Sequence, residues 1–271
     1  IESEKYTLGD LLDRYQSEVL PKKKAKGQPG QLKWWKNQLG GRKLKNIYPA
    51  LISTYKEKLI QEPSERTKRK RASATVNRYL ALLSHAFTVA VREWQWMEIN
   101  PAIQISKPKE AQGRTRFLSD EERQRLLNIC SSSKNTHLFT LVTLALSTGM
   151  RRGEMLGLRW ENIDIQNRRI TLVITKNGER RGVPLVGKAY ELIKELFLKL
   201  EPENQDLLFP SPNNSKKPIS IRTAWETVLK KSRIENFRFH DLRHSTASYL
   251  AMNGASLLEI ADILGHKTLQ M

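Results

Sequence analysis

A cluster of cationic side chains near the middle of the chain suits the binding of a phosphate group. The segment STGMRRGEMLGLRW places Arg151 and Arg152 just after Gly149, where one apolar helix ends and the next begins. A helix N-terminus presents unpaired N–H groups to an anion, and a guanidinium adds two parallel donors for phosphate oxygens. Glu154 lies three residues after Arg151, within reach of its guanidinium across one helical turn. The segment predicts an anion site, although two surface arginines in a turn give the same pattern.

A lysine at a hairpin tip adds a proton donor to this chemistry. Lys176 directly precedes Asn177-Gly178, the strongest two-residue hairpin signal, and lies between the β-branched segment 169–175 and the return strand ERRGVPL. A lysine at such a tip is ordinarily solvated. A mobile tip can also bring its ammonium group to a substrate and protonate a leaving oxygen.

Imidazole and guanidinium groups lie together in FHDLRHSTASYL. His240, Arg243 and His244 are three or four residues apart and therefore share one side of a helix. The spacing H-D-x-x-H invites comparison with the zinc motif H-E-x-x-H. However, Arg243 would place a fixed cation beside the metal, Asp replaces the general-base Glu, and no third ligand follows at a familiar spacing. The set suits a phosphodiester better than a metal ion.

One more histidine follows a predicted helix end. The segment SLLEIADILG has Ser256 at its start as an N-cap and Gly265 at its end as a helix stop. His266 comes immediately after that stop. The pattern places an imidazole beyond a tight turn, where it is a candidate for the same site.

The whole chain is strongly basic. Its formal net charge is +19 at pH 7, and residues 21–80 carry 17 basic against 3 acidic side chains. Such a surface attracts polyanions and makes their binding depend on salt. An anionic membrane is disfavoured as the partner because no basic amphipathic helix has a clean apolar face, and a merely solvated basic face is the remaining alternative. The side chains expected to bind DNA are Lys22, Lys23, Lys24, Lys33, Arg66, Lys68, Arg69, Lys70, Arg71 and Arg78.

Hydrophobic periodicity divides the chain into two predicted domains. In TVNRYLALLSHAFTVAVREW, an apolar stripe from Val76 to Trp94 predicts an amphipathic helix of about five turns. Shorter helical patterns precede it, and a proline-containing segment without periodicity follows it. We therefore predict a helical domain over 1–106, a linker over 107–116 and a second domain over 117–271. At least one of Trp34 and Trp35 is expected in the core, and base stacking is the alternative role for this pair.

The second domain is predicted to be mainly helical with one small antiparallel sheet. Ser119 and Glu122 have the spacing of a capping box ahead of a helix, and THLFTLVTLALSTG predicts a buried helix that stops at Gly149. The hairpin supplies two strands, in which Pro184 fits only at an end or on an edge. Four further helical patterns complete the domain. The fold class is mainly α with a small antiparallel β-sheet: a helical bundle followed by an α+β domain.

In this order, the motifs resemble those of the tyrosine recombinases, the phage-integrase family. The resemblance rests on TGMRRGEMLGL, the hairpin lysine, HDLRH and LGH, and on TVNRYLALLSHAFTVAVREWQWMEINPA in the first domain. It implies a site-specific DNA strand transferase that integrates or excises phage or other mobile DNA through a 3′-phosphotyrosyl intermediate. The first domain would bind core-site DNA and complete a C-shaped clamp around the duplex. The implied partners are double-stranded DNA, a homotetramer on paired sites that passes through a Holliday junction, and accessory DNA-bending or excision factors.

The resemblance also implies residue roles. Arg151 and Arg243 would hold the scissile phosphate and stabilise its pentacovalent transition state. Lys176 would protonate the departing 5′ oxygen, His240 would assist proton transfer at the nucleophile, and His266 would hydrogen-bond the phosphate. Behind these groups, Glu154 would be an acidic supporting residue and His244 a structural one. No metal and no cofactor is expected, and the place of action is expected to be the cytoplasm of a bacterial host, at the nucleoid.

The nucleophile departs from the family pattern. The family tyrosine follows the LGH histidine by about nine residues, roughly two and a half helical turns, which falls near position 275 and past the last residue of the sequence. Tyr249 lies on an apolar stripe and is expected to be a core residue, so no tyrosine is assigned and the second domain is expected to stop short of its nucleophile. A catalytically inactive DNA-binding relative or regulator, and a type IB topoisomerase, remain as alternatives.

Overall fold

The structure, a computed structural model, divides the chain into two compact units. Unit 1 spans 1–113 and unit 2 spans 114–271. The structure describes residues 2–23, 27–65, 67–114, 116–172 and 180–265. Across these ranges, no helix combines the length and the apolar character needed to cross a membrane. Each unit has its own hydrophobic core.

Unit 1 is a helical bundle. Thr7 begins its second helix with a capping box, in which its hydroxyl accepts from the backbone N–H of Asp10 and its own N–H donates to the Asp10 carboxylate. Pro49 occupies the first position of another helix, where the absent N–H costs nothing. The α-helices are α1 Glu2–Lys5, α2 Leu8–Arg14, α3 Gln28–Leu39, α4 Pro49–Gln61 and α5 Ser73–Arg92.

The long helix α5 runs through the core of unit 1, close to the predicted bounds. Leu83, Ala86 and Phe87 are completely buried along the predicted stripe, whereas Trp94 falls beyond the end of the helix. Trp35 of α3 is also fully buried, and its indole N–H donates to the Tyr79 carbonyl at 3.1 Å. The expectation that at least one of the two adjacent tryptophans lies in the core is confirmed.

A single asparagine fixes the exit from α5. The Asn100 amide nitrogen donates to the Ser84 carbonyl at 2.8 Å and to the Thr88 hydroxyl at 2.9 Å. Its carbonyl oxygen accepts from the Ala102 backbone N–H at 2.9 Å. One side chain thus ties the chain after α5 back onto the helix itself.

Replacement of this asparagine should loosen the bundle. For Asn100→Ala we expect a loss of about 1–3 kcal/mol in the free energy of unfolding, because the partly buried partners lose their hydrogen bonds. Urea denaturation followed by tryptophan fluorescence measures the loss. Gln104→Ala, at an exposed position of the same exit, is the matched control. Equal stability of the two variants would show that the Asn100 network is not stabilising.

Unit 2 contains further helices and short strands. Its helices are α6 Asp120–Ser131, α7 Leu138–Thr148, α8 Arg152–Leu156, α9 Gly187–Leu200, α10 Arg222–Lys231, α11 Asp241–Met252 and α12 Leu257–Leu264. Its strands are β1 Ile163–Asp164, β2 Arg169–Leu172, β3 Arg181–Pro184, β4 Pro210–Ser211 and β5 Asn214–Pro218. The Ser119–Glu122 capping box is present at the start of α6, as predicted. The mainly helical class is therefore confirmed.

The expectation of a single sheet was wrong. The strands β1, β2 and β3 form one antiparallel sheet in that order, with Ile170 opposite Val183, and Pro184 ends the edge strand β3. The strands β4 and β5 form a second antiparallel pair. Sequence reasoning missed it because every residue of β5 (NSKKP) is exposed and no apolar alternation marks the strand. The predicted Asn177-Gly178 turn lies outside the described residues.

The helix α7 is the centre of unit 2. Leu138, Leu141, Val142 and Leu144 are all completely buried, and the helix packs against α6, α9 and α11. A nearly all-apolar helix is stable only where neighbours cover it on most sides. Its C-terminal end therefore holds a fixed position, and the candidate site is built on that end.

Candidate functional site

The first arginine of the site stands where α7 passes into α8. Gly149 ends α7 with a left-handed φ of 60°, and Arg151 is the residue that precedes α8. The backbone N–H and the Nη1 of Arg151 donate to the two carboxylate oxygens of Glu154, each at 2.9 Å. The Glu154 side chain is only 9% exposed. The expected contact between Arg151 and Glu154 is therefore present, and it holds the guanidinium at the start of α8.

The second arginine joins the ends of two helices. Arg243 is 5% exposed and donates from Nη1 to the Gly149 carbonyl and from Nη2 to the Leu264 carbonyl, both at 2.6 Å. These carbonyls lie at the C-terminal ends of α7 and α12, where the helix dipole favours a cation. Burial lowers the pKa of Arg243 to about 10, with the nearby charges of Arg151 and Arg181 adding to the effect. The guanidinium still carries its charge at neutral pH.

A third arginine, which sequence reasoning missed, completes the cluster. Arg181 begins β3, and its Nη1 donates to the Ile263 carbonyl at 3.1 Å. Arg243 binds the next carbonyl, that of Leu264, and the Nη2 of Arg151 approaches the one after it, that of Gly265, at 3.4 Å. Three guanidinium groups thus lie around three successive carbonyls at the end of α12. We call Arg151, Arg181 and Arg243 the arginine cluster.

A signal for Arg181 was present in the strand pattern. Side chains two apart in a strand share a face, and Val183, two residues on, is buried against the core. An arginine on the inward face of a strand is unusual unless it has a buried partner. The inward position of Arg181 in the strand pattern therefore indicated a buried partner.

Positive charge exceeds negative charge in the cluster. Glu154 approaches Arg181 as well as Arg151, with 3.6 Å between its Oε2 and the Nη2 of Arg181. Among the described residues, three guanidinium groups therefore share this single close carboxylate. Burial lowers the pKa of Arg181, which Glu154 partly opposes. A surplus of buried cation at the ends of helices is a strong attractor for a phosphate.

Two histidines flank the cluster at the start of α11. His240 directly precedes the helix and meets His244 edge to face, with 5.6 Å between the ring centroids. Partial burial lowers the pKa of His240, and His244 and Arg243 lower it further. The buried Asp241 carboxylate holds this turn by accepting from the Arg238 backbone N–H at 2.8 Å. The His240 ring is therefore mainly neutral at pH 7.

The comparisons with known proteins agree with this geometry. The sequence model of the phage integrase family matches residues 116–271. The chain belongs to this family. It is 35% identical over 231 residues to the shufflon-specific DNA recombinase of Escherichia coli, which covers 85% of this chain and 58% of that protein. It is 27% identical over 288 residues to the integrase of Salmonella phage P22, which covers 95% of this chain and 73% of that one.

A solved relative shows the same fold. The lambda integrase, solved as a tetramer bound to a Holliday junction, matches with a TM-score of 0.73 and 19% identity. The match covers 97% of this chain and 78% of that chain. The chain spans little more than half of the length of the Escherichia coli relative. The family expected from the motifs is thus confirmed.

The remaining expected residues of this phage-integrase chain have different outcomes. Lys176 and His266 lie outside the described residues. Tyr249, expected in the core, is half-buried: its hydroxyl donates to the Leu118 carbonyl at 2.9 Å, and the guanidinium carbon of Arg123 lies 4.9 Å from the ring centroid. Burial raises its pKa. These contacts are structural. In the described part of the chain, no three His, Cys, Asp or Glu side chains come together as a metal site would require.

The predicted DNA-binding side chains of unit 1 fall into three groups. Lys23 donates to the Tyr15 hydroxyl at 3.0 Å, and Arg71 donates to the carbonyls of Leu59 and Glu62 at the end of α4, so both have partners within the unit. Lys24 and Arg66 lie outside the described residues. The exposed members are Lys22, Lys33, Lys68, Arg69, Lys70 and Arg78.

The glycine between α7 and the cluster should not tolerate a side chain. The backbone at Gly149 is left-handed, which strains any residue with a side chain, and a Cβ there would also overlap the Leu264 side chain. For Gly149→Ala we expect a loss of about 1–2 kcal/mol in the free energy of unfolding from the backbone conformation alone. Urea denaturation measures it. Gly153→Ala is the matched control, because its Cβ would meet no atom and α8 favours alanine. Equal stability of both variants would contradict the assignment of strain to Gly149.

The stability of the protein should fall on mild acidification. The pKa values of His85, His137 and His240 are all lowered from 6.5, mainly by burial, so the unfolded chain binds more protons than the folded chain just below that pH. Urea midpoints should therefore decrease from pH 7 to pH 5, a range above the lowered pKa values of the carboxylates of Asp10 and Glu122. NMR titration of the imidazole protons identifies the groups. A midpoint that rises on acidification would refute the linkage.

Proposed function

We propose that this protein is a site-specific DNA recombinase. It cuts and rejoins duplex DNA through a 3′-phosphotyrosyl intermediate and so integrates or excises phage or other mobile DNA. The observation that carries the proposal is the arginine cluster, with its surplus of positive charge beside a neutral imidazole. Membership in the phage integrase family supports the same chemistry.

The geometry supports a role for Arg151 and Arg243 at the scissile phosphate. A guanidinium carries five N–H donors, and each of these arginines uses two nitrogens on protein acceptors. The protein contacts hold each planar group in place, and the proposed role assigns the remaining N–H donors to the non-bridging oxygens. Donors already in place when charge develops on those oxygens stabilise the pentacovalent transition state without reorganisation.

The two reaction steps exchange one ester for another. The tyrosine hydroxyl attacks phosphorus, the bond to the 5′ oxygen breaks, and a 3′-phosphotyrosyl ester forms; a 5′ hydroxyl then attacks that ester and releases tyrosine. The bond energy is kept in the ester, so neither step needs a nucleotide cofactor. The nucleophile proposed is the family tyrosine, which follows the LGH histidine by about nine residues.

Three further residues have proposed roles in proton transfer and phosphate binding. His240, with its lowered pKa, has a free ring nitrogen at neutral pH and is suited to accept the tyrosine proton. Lys176 is proposed as the acid that protonates the departing 5′ oxygen, and His266 as a hydrogen-bond donor to the phosphate. These last two roles rest on the family motif alone. His244 supports His240 by ring contact, and Glu154 supports Arg151.

The proposed partner is double-stranded DNA at a recombination core site. Residues 21–80, with their 17 basic and 3 acidic side chains, support a DNA-binding role for the domain at 1–106. Residues 107–116 would link it to a catalytic domain over 117–271. The solved lambda integrase is a tetramer on a Holliday junction. We propose the same assembly for this protein, because two paired sites have four strands to exchange.

Loss of Arg243 should separate chemistry from binding. In the full-length protein, Arg243→Ala should reduce formation of the covalent adduct on a suicide DNA substrate by 10²-fold or more, roughly the effect of losing an oxyanion donor. Duplex affinity, measured by fluorescence anisotropy, should change far less, because many phosphate contacts remain. Arg222→Ala is the control, since it removes one guanidinium from an exposed position of α10 and should leave adduct formation unchanged. If affinity and cleavage fall together, Arg243 is an affinity contact and the proposed role fails.

Exposed cations of unit 1 should set the salt dependence. Replacing Lys68 and Arg69 by Ala should weaken duplex binding and lower the slope of log affinity against log salt by about 2, because each lost phosphate contact removes about 0.9. The partnered Arg71 is left intact to preserve the fold. Lys194→Ala with Lys199→Ala, in α9 of unit 2, removes the same charge and is the control. An unchanged slope would place the 68–69 loop off the DNA.

A further inference from the structure

Arg181 is the one member of the arginine cluster without a role in the proposed reaction. Its side chain is 13% exposed, and it enters the cluster from the sheet, whereas Arg243 lies in α11 and Arg151 directly precedes α8. Within the described part of the chain, its Nε and Nη2 atoms are shielded from solvent and have no hydrogen-bond acceptor. A buried guanidinium that leaves donors unpaired costs folding free energy. A residue that lowers folding stability in this way is a candidate for a functional role.

The contacts of Arg181 connect three segments. Its Nη1 donates to the Ile263 carbonyl of α12, and its Nη2 faces the Glu154 carboxylate of α8 at 3.6 Å. Gly265, with a left-handed φ of 67°, packs so closely that a Cβ there would overlap Nη1. Arg181 therefore connects β3, the start of α8 and the last turn of α12, which leads directly to His266.

Glu154 is the point where this connection meets the proposed chemistry. Its Oε2 accepts from the Arg151 backbone N–H and is the oxygen that Arg181 faces, while its Oε1 accepts from the Arg151 guanidinium. A carboxylate with a single cationic partner would follow that partner. Between two cations on opposite elements it has one preferred position, and the guanidinium of Arg151 takes its orientation from it.

We propose that Arg181 is a positioning residue of the strand-transfer site: it holds Glu154, and through it Arg151, and it fixes the end of α12 ahead of His266. This inference rests on the proposed recombinase function. Arg181 is not assigned to the phosphate itself, because its unpaired nitrogen atoms are buried. It acts on the geometry of groups that do reach the phosphate. A lysine cannot replace it fully, since one ammonium group lacks the planar fork that serves two acceptors at once.

The test compares cleavage with binding in the full-length protein. Arg181→Met should slow adduct formation at saturating DNA on the order of 10- to 100-fold, less than loss of a direct donor, with little change in the dissociation constant. Arg181→Lys should recover part of the rate and still cleave more slowly than the wild type. Arg180→Met, at the adjacent exposed position, removes the same charge and should cleave like the wild type.

A double-mutant cycle distinguishes positioning from general stability. If Arg181 acts through Glu154, then Arg181→Met should cost much less in a Glu154→Gln background than in the wild type. Additive losses, or a Lys variant that cleaves at the wild-type rate, would overturn the inference. So would equal effects of Arg181→Met and Arg180→Met. If the wild-type protein itself forms no adduct, the proposed recombinase function fails. If the wild type and the Arg181→Met variant both form the adduct at the same rate, only the positioning role of Arg181 fails.

Discussion

A buried guanidinium between two helix ends is the constraint on which the site in unit 2 depends. Arg243 bridges the carbonyls of Gly149 and Leu264, and these belong to helices that are distant in sequence. An unpaired cation at this depth would be strongly destabilising, but helix C-termini provide carbonyls that lack intrahelical partners and carry partial negative charge. The bridge therefore satisfies the arginine and at the same time sets the distance between α7 and α12. Arg151 and Arg181 then bind the neighbouring carbonyls at the end of α12.

The glycines at the two helix ends make this arrangement possible. Gly149 and Gly265 both adopt left-handed φ values, and side chains from other elements fill the space where a Cβ would lie. Each turn therefore brings a guanidinium within hydrogen-bonding distance of main-chain oxygen. A bulkier residue at either turn would separate the arginine from its acceptor. The site depends on the ability of glycine to adopt a positive φ without steric cost.

Charge acts on two length scales in this chain. The basic surface of residues 21–80 is exposed and works over roughly a Debye length, about 8 Å at physiological salt, so its effect on a polyanion is general and screened. The arginine cluster is largely buried, and its surplus charge is screened much less. Three cations with one carboxylate, which pairs with Arg151 and Arg181 only, are costly to fold, and an arriving phosphate would relieve that cost. The unpaired buried cations lower the folding stability of the protein and raise its affinity for an anion.

The part of the site that is local in sequence was predictable, and the part that is not local was not. Arg151 and Glu154 are three residues apart at a helix start, and His240, Arg243 and His244 share one helical side, so spacing alone placed them together. Capping residues and glycine stops likewise marked the ends of α6, α7 and α12, because these signals involve neighbours within one turn. The ordered set of motifs was specific enough to indicate the family.

Tertiary structure alone decided what those side chains touch. Arg243 meets Gly149 across 94 residues, and Arg181 meets Ile263 across 82, and no spacing rule reports such contacts. The β4–β5 pair was missed for a different reason: its strands are close in sequence, but β5 is wholly exposed and carries no apolar pattern. Sequence determined which groups were available and how each helix begins and ends. Packing around α7 determined which of them converge, because the position of one helix end relative to another is a property of the assembled core.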